Sequence, residues 1–158
     1  MRLATSCLVT VALVTALPSA AVGSGDAHWP LPFEENLGQT DSRVRFLARG
    51  PGYVAFLTDD ATVLRLEPRR EGAPPAALSM TLVGASATRL EGSQPLPGRS
   101  HYLGAAERSD WIRGARHFAR VSRPAVYPGI DLVYRADEAH LAYDFVVAPG
   151  ADLSLIHI

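Results

Sequence analysis

The sequence predicts an all-β, antiparallel, sandwich-like domain standing behind a cleaved signal peptide. Three observations carry that reading. Apolar residues recur at period two in short runs, Gly- and Pro-rich breaks separate those runs, and no stretch beyond the N-terminus forms a convincing amphipathic helix. A chain of 158 residues has room for one such domain with a modest core.

The elements follow in chain order. "HWPLPFEENLGQTD" (His28 to Asp41) is an extended lead-in, because its prolines and glycine exclude a helix. "RVRFLAR" is a first strand, with Val44, Phe46 and Ala48 set against Arg43, Arg45, Leu47 and Arg49. "GPG" (Gly50 to Gly52) turns the chain into a second strand, "YVAFLT". Asp59 and Asp60 turn it again into a third, "ATVLRLEP". "RREGAPPAA" is a breaker-rich loop, and "LSMTLVGA" is a fourth strand with Leu78, Met80 and Leu82 on one face. "SQPLPGRSHYLG" reads as irregular, its Tyr102 and Leu103 expected to plug the core. His117 to Ser122 read as strand, and "GIDLVYRADEAHLAYDFVV" as a closing hairpin.

The first 23 residues order themselves as an export signal. Arg2 is the basic start, "CLVTVALVTAL" a short apolar run, and "PSAAVG" a small-residue site cleaved after Ala21 or Gly23. The apolar run is too short for a comfortable span, so no membrane segment is expected after cleavage. Cys7 opens that run instead of following it, which rules out a lipid anchor, and it is the chain's single cysteine. The mature protein thus has no disulfide and no thiol nucleophile. Residues 24–29 are a linker and 30–152 the β module.

A net charge of −1 gives no overall field for nucleic acid or anionic membrane. All the basic side chains except histidine are arginines, whose forks favour exposed Arg–Asp pairs. No His-Glu-x-x-His, zinc-knuckle or calcium-loop spacing occurs, and His101, His117 and His140 read as surface imidazoles. Ser100 and His101 are sequence neighbours and point to opposite faces of a strand, and no Gly-x-Ser-x-Gly elbow is present. Neither catalytic residues nor a cofactor are expected.

The closing hairpin supplies the candidate site. Matching its apolar faces, with Tyr134 opposite Leu141 and Ala136 to Ala139 as a four-residue turn, sets Asp131 directly opposite Asp144. Like charges so placed require an offset. Arg120 or Arg123 from a neighbouring strand is one structural answer, and a register shifted by two residues, which makes the pair diagonal, is another; a calcium ion or a shared proton is the alternative. Trp111 and Tyr127, with Trp29 and Tyr53, are aromatic candidates for a sugar-binding face, core packing being the competing use.

Three stretches together resemble the N-terminal domain of bacterial secreted proteins that carry SBBP-type β-propeller repeats. They are "PLPFEENLGQTDSRVRFLARGPGYVAFLT", "LPGRSHYLG" with "WIRGARHFARV", and "VYPGIDLVYRADEAHLAYDFVVAPGAD". The likeness spans Pro30 to Asp152. It implies an extracellular module ahead of repeats in the same polypeptide, with no catalytic residues to carry over and no named ligand, glycan or protein partner. The expected function is therefore a non-catalytic structural or interaction module at the cell surface or secreted. A carbohydrate- or calcium-binding module is the alternative, and a hydrolase fragment ranks third. The likeness breaks at "LSLIHI" (Leu153 to Ile158), where the family pattern runs on into a further strand. That hexapeptide is also one reading frame of a transposon end used in sequencing libraries, so the tail is expected to be non-native and the domain C-terminally truncated.

Overall fold

The computed structural model describes residues 31–68, 70, 72–104 and 111–157. The signal and linker assigned to residues 1–29, and Trp29 with them, lie outside the described residues. The described residues form nine strands: β1 (Phe33–Glu35), β2 (Val44–Gly50), β3 (Tyr53–Thr58), β4 (Ala61–Leu66), β5 (Ala76–Thr81), β6 (Glu91–Tyr102), β7 (Ile112–Tyr127), β8 (Ile130–Asp137) and β9 (His140–Val147). All the pairings are antiparallel. The all-β class expected from the period-two pattern is the fold.

β7 organises the architecture. One of its edges carries β6 along residues 112–122. The other edge carries two strands in succession, β1 at His117 and Phe118 and then β8 from Arg120 to Tyr127. Two arms leave that shared edge, β1-β2-β3-β4-β5 and β8-β9. A bulge between Arg123 and Tyr127 bends β7 so that the second arm folds over the first.

The core lies between the arms. Phe33, Phe46, Ala55 and Leu57 come from the first, Ile130, Leu132 and Tyr134 from the second, and Phe118 and Val121 from β7 itself. Polar contacts bridge the same interface. The hydroxyls of Thr62 and Tyr134 lie 2.7 Å apart and buried, and the Leu141 N–H donates to the Tyr53 hydroxyl at 2.7 Å. Arg123, 2% exposed, donates to the Thr58 carbonyl, while its Nε has no partner.

Local chemistry explains where strands begin and turn. Pro51 and Gly52 occupy the centre of the β2–β3 turn; Gly52 sits at φ +75°, a conformation glycine adopts without strain. The expected irregular segment around Pro95 and Pro97 is instead strand β6. Its prolines survive because β6 pairs on one side alone, and the register slips between Leu96 and Arg99. The lead-in also became a strand: β1 is only three residues long, yet it joins β2 to β7. Leu78 is exposed and Leu82 buried, so the fourth expected strand does not present one uniform apolar face.

Candidate functional site

The most connected polar group stands on β1. Phe33 points into the core, and the alternation along the strand turns Glu34 to the outer face, where it is nonetheless 4% exposed. Other side chains cover it. Oε1 accepts from the Tyr102 hydroxyl at 2.5 Å and from Gln39 Nε2 at 2.8 Å. Oε2 accepts from Ser100 Oγ at 2.6 Å and from Arg49 Nη1 at 3.2 Å. Arg49 Nη2 also donates to the Tyr102 hydroxyl at 2.7 Å, closing a ring.

Each strand contributes for a local reason. Asn36 folds the segment after β1 by donating to the Asp41 and Val44 carbonyls, which returns Gln39 to Glu34. β2 supplies Arg49, and the far end of β6 supplies Ser100 and Tyr102. β7 supplies His117, directly opposite Glu34 in the ladder. Gly98 leaves room for that imidazole, since a Cβ there would stand 3.1 Å from its Nδ1.

Burial alone would push the Glu34 carboxyl up. Hydrogen bonds from Ser100, Tyr102 and Gln39, with the Arg49 charge, outweigh it and hold the group below its ordinary value. Burial, and then the bond to Glu34, push the Tyr102 phenol up.

Serine, histidine and glutamate thus meet, but in an order unlike a hydrolytic triad. His117 Nε2 is 2.8 Å from Ser100 Oγ and 3.6 Å from Glu34 Oε2. Ser100 has one proton and gives it to the carboxylate, so Nε2 must be the donor toward Ser100. In a triad the imidazole accepts from the hydroxyl, and the acid sits behind it at Nδ1. Here the acid holds the hydroxyl itself.

The residues singled out from sequence lie elsewhere. β8 and β9 pair Tyr134 with Tyr143, Val133 with Asp144 and Asp131 with Val146. The register is two residues from the expected one, because the turn is Glu138–Ala139 and not Ala136–Ala139. Glu138 accepts φ +55°, and the ladder gains the Ala136–Leu141 and Asp137–His140 pairs. Asp131 and Asp144 are consequently diagonal, not opposed. Asp131 Oδ1 accepts the Ala125 N–H at 2.7 Å, and Asp144 Oδ2 accepts Arg135 Nε at 2.7 Å. The arginine beside the pair is Arg135 from the hairpin itself, not Arg120 or Arg123.

Tyr127 is buried, and its hydroxyl donates to the Val83 carbonyl at 2.9 Å, so it offers no face to a sugar. Trp111 is half-buried, with the Arg113 guanidinium 5.0 Å over its ring. Tyr102 serves the Glu34 network and Leu103 is exposed, so neither plugs the core. His117 is half-buried in that network, not a free surface imidazole. Among the described residues no group of three or more His, Cys, Asp or Glu side chains is arranged to hold a metal ion.

A family model described as "Domain of unknown function (DUF7948)" matches residues 33–158. The chain belongs to the DUF7948 family. No curated protein and no solved structure matches it. The DUF7948 match opens at Phe33, the first residue of β1, and takes in every strand and the whole Glu34 network. It also takes in Leu153 to Ile158. There Leu155 and Ile156 pack against the core, and the Val83 N–H donates to the His157 carbonyl at 3.0 Å.

Sequence reasoning missed Glu34 because its partners lie 5, 15, 66 and 68 residues away. The one available signal was a glutamate directly after Phe33 in an extended segment.

Proposed function

We propose that this DUF7948 domain is a non-catalytic structural or interaction module of a larger secreted or surface protein, standing ahead of β-propeller repeats in the same polypeptide. The observation that supports it most is the wiring of Glu34. The one serine–histidine–acid meeting among the described residues spends its serine proton on a carboxylate held below its ordinary value, a weak base. Four donors already occupy that carboxylate. Such a network fixes β1, β2, β6 and β7 relative to one another; it does not activate a nucleophile. The export signal and the SBBP-type resemblance supply the extracellular address and the repeats as first partner.

The test is Ser100→Ala, assayed on ester and glycoside substrates and by thermal melting. The expected result is a lower melting temperature with no substrate turned over by either protein. Turnover by the wild type that vanishes in a folded Ser100→Ala variant would replace this reading with the hydrolase one.

A further inference from the structure

The distal half of the β6–β7 ribbon, beyond β1, concentrates positive charge on one face. The ladder sets Arg99 directly opposite Arg116 and His101 directly opposite Arg113. Between these two pairs sits Ser100 opposite Ala115, which points to the other face. Gly114, at φ +80°, is the extra residue that keeps the two basic pairs on a common side. The result is a block of four basic side chains, about 5 Å across the strands and about 7 Å along them.

Like charges directly opposite, as Arg99 and Arg116 are, cost stability, and one carboxylate, Glu35, relieves part of the cost. Glu35 takes Arg116 in a two-pronged pair, with bonds of 2.7 to 3.0 Å. Arg99 and Arg113 have no carboxylate at ion-pair distance among the described residues, in contrast to Arg43, Arg45, Arg49 and Arg135. They are positioned by other means. Arg113 stacks on Trp111, and Arg99 Nη1 donates to the Gly114 carbonyl at 3.2 Å. The Gly114 N–H donates to His101 Nδ1 at 3.3 Å, which leaves the other ring nitrogen as a donor. Among the described residues most of these guanidinium N–H groups have no acceptor, and the side chains are exposed.

We propose that this face binds an acidic polysaccharide, its carboxylate or sulfate groups received by Arg99 and Arg113 with His101 between them. Guanidinium forks match the paired oxygens of both groups. An exposed, open ribbon face suits an extended polymer better than a small molecule, which needs a concave site. A net charge of −1 leaves no long-range field for any polyanion, so binding rests on these local contacts, and single-stranded DNA is the competitor that separates a phosphate chain from a polysaccharide. The extracellular reading supplies only the source of such a polymer; binding is measured on the isolated protein, so its failure leaves that reading standing.

The experiment is affinity electrophoresis of the full chain through gels containing polygalacturonate, dextran sulfate or neutral dextran. The comparison is between wild type, the double variant Arg99→Gln/Arg113→Gln, and Arg65→Gln on the remote strand β4. Circular dichroism checks that each is folded. An acidic polymer should retard the wild type where neutral dextran does not, and 0.5 M salt (on the order of a 4 Å Debye length) should relieve it. The double variant should bind about tenfold more weakly, the loss of two exposed charge contacts, while Arg65→Gln stays near wild type. Retardation by polygalacturonate alone assigns carboxylate, and by dextran sulfate alone, sulfate. No retardation of the wild type, equal retardation of the double variant, or stronger competition by polyglutamate or single-stranded DNA overturns the proposal.

Discussion

Glu34 and Asp144 are both strand carboxylates that accept a hydrogen bond from an arginine, and they stand in opposite electrostatic settings. Glu34 is covered, and four side chains from three other parts of the chain converge on it. Asp144 lies on the hairpin's open face, with a single arginine nine residues away in sequence. Removing a partner from the first strands charge or donors out of water; removing one from the second lets water in. The same pair of residue types is a lock in one place and surface decoration in the other.

The comparison breaks most visibly at Glu34 itself. Glu34→Ala leaves the Arg49, Ser100, Tyr102 and Gln39 donors without their acceptor and should cost ~3 kcal/mol or more. Urea unfolding measures it, and a loss below about 1 kcal/mol would sink the idea of a lock. Glu34→Gln keeps an acceptor oxygen and should cost less. It also isolates the pH dependence. The folded carboxyl titrates below its ordinary value of 4.5, so the stabilisation is complete above that value and is lost as pH falls through the lower, folded one. Glu35 and Asp59, held down chiefly by Arg116 and Arg45 respectively, contribute to the same acid limb. The readout is therefore the difference between wild type and Glu34→Gln, which should shrink as pH falls below 4.5.

A middle case lies between the arms. Tyr134 is almost fully buried, and among the described residues its hydroxyl bonds to that of Thr62 alone. Tyr134→Phe should cost about 1–2 kcal/mol, because the buried Thr62 hydroxyl then goes unpaired. The double variant Tyr134→Phe/Thr62→Val should cost less than the sum of the single changes. Additive losses in chemical denaturation would show that the two hydroxyls are independent, and that packing alone ties the arms together.

How legible these sites were in the sequence follows from how local their determinants are. Strands β2, β3 and β4 were readable because alternation and adjacent turns such as Gly50–Pro51–Gly52 fix them within a dozen residues. β6 was not, because Pro95 and Pro97 break strands in general and are tolerated only on a one-sided strand, which is a tertiary fact. The hairpin's pairing was readable and its register was not. Glu138 carries a positive φ without being Gly or Asn, so the two-residue turn had no sequence mark. Asp131 and Asp144 drew notice because their spacing is local, whereas Glu34 has no local pattern and acquires its meaning from strands β6 and β7, far along the chain.

The smallest expected effects belong to the aspartates that the sequence made conspicuous. Asp144→Asn removes an exposed ion pair with Arg135 and should change stability by ~0.5 kcal/mol or less, less still in high salt. Asp131 allows a finer distinction. Its Oδ1 receives the N–H of Ala125, a non-glycine residue at φ +49° beside the bulge that bends β7. Asp131→Asn retains that acceptor and removes one of two diagonal negative charges, so it should be neutral or stabilising by a few tenths of a kcal/mol. Asp131→Ala removes the acceptor from a backbone conformation that an alanine adopts only with support, and should cost about 1 kcal/mol. Thermal melts of the two variants separate charge from hydrogen bonding. If both fall equally, the negative charge is what holds the bulge; if only alanine falls, the carbonyl-like oxygen does, and the carboxylate pair is incidental to the fold.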